Sequence, residues 1–311
     1  VPDLARAIPA APPARALWRA GTAARGNWRD YVTLTKPRIM SLLVLTSVCA
    51  MIAASGGDPS PVHLAALVVG GALACGGASA LNHVLDRDID RLMGPRTASR
   101  PVAAGRISPA RATAFGIALA GVSFVLLATC ANLLAAALSL GGGAFYVVIY
   151  TIWLKRRTPQ NIVIGGAAGA IPPLAGWAAA RGSVGMGAVW LFAIVLLWTP
   201  PHFWALALLL ERRYAAADVP MLPVVRGTAT TAAQVLGYSV ALTLLTLVPA
   251  ALGTFGVVYL AAALVLGLTL CALAVRLWRR PRPAAASALF HFSLLYLALL
   301  FVAVAIDAAV R

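Results

Sequence analysis

An all-α integral membrane protein, with nine helices crossing the bilayer around a central cavity, is the fold class this sequence predicts. Three observations predict it. The 311 residues are 61% hydrophobic and only 11% charged, with a mean hydropathy of +0.88, too apolar for a soluble surface. Nine apolar stretches recur, each close to the roughly 20 residues a helix needs to cross the hydrocarbon core. Finally, the charges alternate in density from one connection to the next.

The stretches run near 39–55, 62–81, 112–129, 132–152, 162–180, 186–210, 232–252, 254–275 and 286–306. With the N-terminus inside, the inner segments hold every basic residue from Arg6 to Arg38, from Arg87 to Arg111 and from Lys155 to Arg157. They also hold Arg212, Arg213, Arg226, Arg276, Arg279, Arg280 and Arg282. Of the 25 basic residues only Arg181 and Arg311 remain for the outer side. Cytoplasmic connections accumulate Lys and Arg, so the N-terminus is expected in the cytoplasm and the C-terminus outside. The net charge of +16 is thereby a matter of topology and calls for no nucleic-acid partner.

Residues 1–30 are rich in Ala, Pro and Arg and lack the continuous apolar core of a secretory signal. They are expected to form a flexible cytoplasmic tail ahead of one nine-helix domain, 31–311. Their Arg-rich, acid-poor character also fits a transit peptide, so the expected location is a bacterial cytoplasmic membrane ahead of a mitochondrial inner membrane. Cys49, Cys75, Cys130 and Cys271 all fall in apolar stretches without C-x-x-C spacing. They read as small buried residues and exclude a disulfide scaffold or thiolate metal site. Gly pairs such as Gly70-Gly71, Gly76-Gly77 and Gly165-Gly166 fit close helix packing or the wall of a cavity for a large flat ligand.

The outer connections are short, so chemistry is expected on the inner face, in the long segments 82–111 and 211–231. The two lie four helices apart, which suggests a weak internal repeat presenting equivalent loops across the cavity. Asn82-His83-Val84-Leu85-Asp86-Arg87-Asp88-Ile89-Asp90 opens the first of them. It carries three of the nine acidic residues of the chain. If it continues the preceding helix, Asn82, Asp86 and Asp90 follow at steps of four and share one face, while Asp88 points away. His83 turns about 100° from Asn82 and is set aside. Oxygen ligands on one face suit Mg²⁺, which is held by one or two carboxylates together with substrate phosphates. Arg87 and Arg91 offer the competing reading, simple neutralisation of the acids on a wet loop. Arg96, Arg100, Arg106 and the run Lys155-Arg156-Arg157 gather on the same inner rim, where guanidinium groups can grip the oxygens of a polyanion.

Those residues carry a resemblance. Asn82-x-x-x-Asp86-x-x-x-Asp90 resembles the first aspartate-rich motif of the intramembrane prenyltransferases, the family of 4-hydroxybenzoate polyprenyltransferase. Further blocks resemble its protohaem IX farnesyltransferase branch: Tyr31 to Arg38 (YVTLTKPR), Tyr150 to Gly165 (YTIWLKRRTPQNIVIG), Ile171 to Trp177 (IPPLAGW), Trp198 to Ala205 (WTPPHFWA) and Val219 to Gly227 (VPMLPVVRG).

The resemblance implies transfer of farnesyl from farnesyl diphosphate to a vinyl group of haem b, with water addition, giving haem O. It implies Asn82, Asp86 and Asp90 as Mg²⁺ and diphosphate ligands, with Arg100, Lys155 and Arg156 gripping the diphosphate. Trp198 and His202, beside Pro200-Pro201 in an apolar stretch, are implied at the haem, as an axial or a propionate-side contact. The family's second acidic motif has an aspartate directly before the tyrosine at 214, where this chain has Arg213. Asp218 and Glu211 are then the acids left nearby for a second Mg²⁺. The implied partners are the lipid bilayer and haem A synthase, with no nucleic acid. Two competing readings stay open here: a related enzyme acting on an aromatic acceptor such as 4-hydroxybenzoate, and a multi-pass transporter or non-catalytic haem-handling protein. Against a transporter, the carboxylates gather at one rim and nine helices divide awkwardly into two inverted halves.

Overall fold

The computed structural model describes residues 26–311, so the tail expected at 1–30 lies outside the described residues as far as residue 25. Among the described residues there is no strand, and nine helices are long and apolar enough to cross a membrane. The protein is a multi-pass integral membrane protein. Helix α1 (Trp28–Thr35) starts at a capping box, in which Asn27 and Asp30 each accept the other's backbone N–H. Lys36 adopts a left-handed backbone (φ 50°) and turns the chain into α2 (Pro37–Ala54). Next come α3 (Pro61–Leu85), α4 (Arg87–Leu92), α5 (Pro95–Ala98) and α6 (Pro109–Cys130). Both α3 and α6 begin with a serine cap followed by proline at the first helical position. The hydroxyl accepts an orphan amide there, and proline has no amide to satisfy.

Helix α7 (Leu133–Ala144) continues without a break into a π-helix, Phe145–Leu154. It is followed by α8 (Asn161–Arg181), α9 (Met186–Leu209), α10 (Glu211–Ala216), α11 (Leu222–Ala251), α12 (Val257–Arg279) and α13 (Pro283–Val310). All nine apolar stretches are found as helices. The largest difference from the sequence reading is in the segments expected as long loops. The stretch 82–111 carries α4 and α5, and 211–231 is taken up by α10 and the first turns of α11. The backbone of α11 is kinked at Gly227 (φ 76°, ψ 169°), and only the part beyond the kink was apolar enough to be read as a span.

The spans pack as two joined rings. In one, α2, α3, α6, α7 and α8 follow each other in contact and close from α8 back to α2; in the other, α9, α11, α12 and α13 do the same. Contacts of α8 with α9 and of α2 with α13 join them. Close approach needs small residues at two of these seams. A Cβ on Gly77 of α3 would lie 2.7 Å from the Gly116 carbonyl oxygen of α6, and one on Gly176 of α8 would collide with the Ser47 carbonyl of α2.

Candidate active site

Asn82 lies in the last turn of α3, Asp86 sits at the junction and Asp90 lies in α4. The junction is slight, because the Asp86 amide donates to the Asn82 carbonyl (2.9 Å) and the Asp90 amide to that of Asp86 (2.8 Å). The helical register therefore survives and the three side chains share a face. They are 2%, 1% and 1% exposed, whereas the intervening Asp88 is on the surface.

Three cations meet this face. Lys155 Nζ donates to Asp86 Oδ2 at 2.5 Å, Arg100 Nη1 to Asp90 Oδ1 at 2.5 Å, and Lys36 Nζ to Asn82 Oδ1 at 2.8 Å. Asn82 Nδ2 donates to Asp86 Oδ2 (2.7 Å) and to Thr151 Oγ (3.2 Å). After these bonds, Asp86 Oδ1 and Asp90 Oδ2 remain buried with no partner among the described residues. Burial pushes the Asp90 carboxyl upward, against the hydrogen bond from Arg100. Burial, with Arg100 beside it, pulls the Lys36 ammonium down to about 7. Both shifts report the same condition, charge held away from water with an incomplete set of counter-charges.

The π-helix supplies the wall opposite. The Lys155 amide bonds to the Tyr150 carbonyl five residues back (2.9 Å), and the Thr151 hydroxyl donates to the Tyr146 carbonyl (2.9 Å). The wider turn brings residues four and five apart into line, so Tyr146, Thr151 and Lys155 follow one another along one side. The Tyr146 and Tyr150 rings stack 5.5 Å apart. From α10, the Tyr214 phenol comes near the same charges, with its pKa pushed up to about 12 mainly by burial.

The structure does not bring every expected residue to this group. Arg156 instead grips the exposed Asp88 through two bonds of 2.7 Å and caps the Leu85 carbonyl. These bonds from Arg156 hold the Asp88 carboxyl down at about 2. Glu211 takes a long bond of 3.5 Å from the Thr228 hydroxyl, and Asp218 is exposed in a left-handed turn (φ 51°). Neither is hydrogen-bonded or ion-paired to Asn82, Asp86 or Asp90 among the described residues. Among the described residues, no three His, Cys, Asp or Glu side chains gather as a ready metal cage.

His202 and Trp198 form a second group inside the membrane span of α9. Their rings stack at 4.3 Å, and Phe290 of α13 stacks on the other side of His202 at 4.8 Å. His202 stands seven residues before the end of α9, about 10 Å along its axis. Sequence reasoning missed Lys36, Thr151, Tyr214 and Ser293, the α13 partner of His202 described below. Lys36 and Thr151 lay in blocks already singled out, Lys36 at the residue before Pro37 and Thr151 at the second position of the block that opens at Tyr150. His83, set aside earlier, is buried, and neither ring nitrogen has a partner among the described residues.

Residues 43–303 match the UbiA prenyltransferase family. A protoheme IX farnesyltransferase of Gloeobacter violaceus is 53% identical over 279 residues, which cover 89% of this chain and 91% of the relative. One from Thermus thermophilus is 49% identical over 284 residues, 91% of this chain. There the match takes in 46% of the relative, so the chain spans about half the length of that protein. Among solved structures, one described as digeranylgeranylglyceryl phosphate synthase in membranes superposes with a TM-score of 0.75 at 20% identity, covering 91% of this chain and 99% of the other. A UbiA homologue from Archaeoglobus fulgidus, bound to GPP and Mg²⁺, gives 0.63 at 17% identity, covering 88% and 99%. These two are likenesses of fold.

Proposed function

We propose, from the premise that this chain belongs to the UbiA prenyltransferase family, that it transfers the farnesyl group of farnesyl diphosphate to a vinyl group of haem b, with addition of water, giving haem O. The observation that carries the choice of acceptor is the 53% identity to a protoheme IX farnesyltransferase over nine-tenths of both chains.

The residues at the rim fit Mg²⁺. Asp86 Oδ1 and Asp90 Oδ2 are buried oxygens in want of a partner, and two carboxylates with an amide oxygen beside them are a donor set that phosphate oxygens and water complete. The A. fulgidus homologue bound to GPP and Mg²⁺ supports the same assignment. Bound there, Mg²⁺ supplies positive charge that draws electrons toward the leaving diphosphate. Asn82, Asp86 and Asp90 are the residues that would hold it.

Lys155, Arg100 and Lys36 each spend one donor within the protein. An ammonium has three donors and a guanidinium five, so most remain for diphosphate oxygens. Their charge favours departure of diphosphate with the C1–O electron pair, because these donors are already positioned where negative charge develops. The haem vinyl π electrons then bond to farnesyl C1, and water quenches the cation left on the haem side, losing a proton. The apolar bundle keeps water from the allylic cation until the carbon–carbon bond has formed. Trp198 and His202, deeper in α9, are assigned to the haem.

The rim is assigned to the cytoplasmic face of a bacterial cytoplasmic membrane, because the basic connections converge on it. The product is of the kind a haem A synthase consumes. Purified protein given labelled farnesyl diphosphate, Mg²⁺ and equal amounts of haem b and 4-hydroxybenzoate tests the acceptor. The label is expected in the porphyrin, and label in the aromatic acid alone would overturn the assignment.

A further inference from the structure

His202 is held more tightly than a packing role requires, and the way it is held fixes where its proton is. The Ser293 hydroxyl donates to the Phe290 carbonyl at 2.7 Å. A hydroxyl has one hydrogen, so toward His202 Nδ1, also at 2.7 Å, Ser293 Oγ can act only as acceptor. The hydrogen-bond network thus assigns the proton to Nδ1 and leaves the lone pair on Nε2. That nitrogen has no hydrogen-bond partner among the described residues, and it is not among the fully enclosed polar atoms that lack one.

The ring cannot turn to exchange the two nitrogens. Trp198 and Phe290 sandwich it at 4.3 and 4.8 Å, and Phe203 meets it edge-on at 5.2 Å. Trp198 is itself pinned, its indole N–H donating to the Ser293 carbonyl at 2.7 Å. One residue of α13 therefore fixes the tautomer through its side chain and the stacking partner through its backbone.

We propose that Ser293 is a positioning residue that holds His202 as the Nδ1–H tautomer, so that Nε2 serves as an axial ligand to the iron of the haem substrate. The inference rests on haem being the acceptor. The chemistry decides between the two haem contacts open to His202. A propionate carboxylate is an electron-pair donor and gains nothing from a nitrogen lone pair, whereas haem iron takes that lone pair, as it does from proximal histidines. The partner on the other nitrogen sets ring orientation and ligand basicity, the familiar arrangement behind a metal-bound histidine.

Ferric haem b titrated into the full-length protein, followed by visible absorption and electron paramagnetic resonance, tests this. The wild type is expected to show a histidine-ligated iron. His202→Ala should lose that signature and regain it with added imidazole. His202→Met, which keeps the packing volume and offers a thioether, should change the spectrum. Ser293→Ala should raise the haem Kd about tenfold while farnesyl diphosphate binding moves less than twofold, and Ser293→Thr should restore it. A spectrum unchanged in both His202 variants overturns the ligand assignment, and an unchanged haem Kd in Ser293→Ala overturns the positioning role. Failure of the underlying reading looks different: the wild type would take up no haem yet prenylate an offered aromatic acid.

Discussion

Two aspartates two residues apart in the same motif, Asp86 and Asp88, meet opposite fates. Asp86 is buried with one oxygen unpartnered, and Asp88 is exposed and satisfied by Arg156. Asp86→Asn or Asp90→Asn is accordingly expected to lower kcat by at least 10²–10³, roughly the effect of removing one charge-stabilising group from a preorganised site, at any Mg²⁺ concentration. Asp88→Asn should leave kcat within about twofold and change stability by about 0–1 kcal/mol, the usual range for an exposed ion pair. Steady-state kinetics and thermal unfolding in detergent check both. Lys36→Met should raise the KM for farnesyl diphosphate about tenfold, near the 1.4 kcal/mol expected of one charged contact to phosphate. At this scale the sequence was readable where spacing does the work, because Asn82, Asp86 and Asp90 repeat at four and one helix aligns them. Lys36 was not readable, since it arrives from 46 residues away in sequence through a left-handed turn that no local pattern announces.

At the scale of elements, the π-helix is the feature the sequence hides. Phe145–Leu154 reads as an ordinary apolar stretch, rich in aromatic and β-branched residues, and nothing in its periodicity announces the wider register. Thr151 ties that element to the site by accepting from Asn82 and donating to Tyr146. Thr151→Val, of similar size, should leave one N–H of the Asn82 amide without its acceptor, the bond to Asp86 remaining, at a cost of about 1 kcal/mol. The expected readout is a several-fold fall in kcat with little change in haem binding. The glycines divide in a way composition does not foretell. Gly77 and Gly176 permit backbone contact between helices, while a Cβ on Gly71, Gly141 or Gly169 would meet nothing within 4 Å.

Across the whole molecule, the nine spans were legible because each apolar run is long and basic residues gather at the inner connections, with Ser-Pro starts at α3 and α6. Their arrangement into two joined rings was not, because which small residues face which neighbour depends on the partner helix. The acids of the second inner segment show the same limit. Glu211 and Asp218 stand near the rim in sequence, yet among the described residues neither shares a hydrogen bond or ion pair with Asn82, Asp86 or Asp90. The charge distribution also makes a prediction about the molecule as a whole. A cysteine placed by Ser183→Cys should react with a membrane-impermeant reagent added outside intact cells, and one placed by Arg157→Cys should react only in inverted vesicles. The opposite pattern would reverse the orientation.

On the function proposed above, buried carboxylates and cations at one rim activate farnesyl diphosphate for attack by a haem vinyl group. Mass spectrometry of the porphyrin pool, after incubation of purified protein with haem b, farnesyl diphosphate and Mg²⁺, tests it most directly. The expected product is a haem that has gained one farnesyl group and one hydroxyl, absent with EDTA and absent with Asp86→Asn. Unmodified haem b in the wild-type reaction, alongside prenylation of some other acceptor, would contradict it.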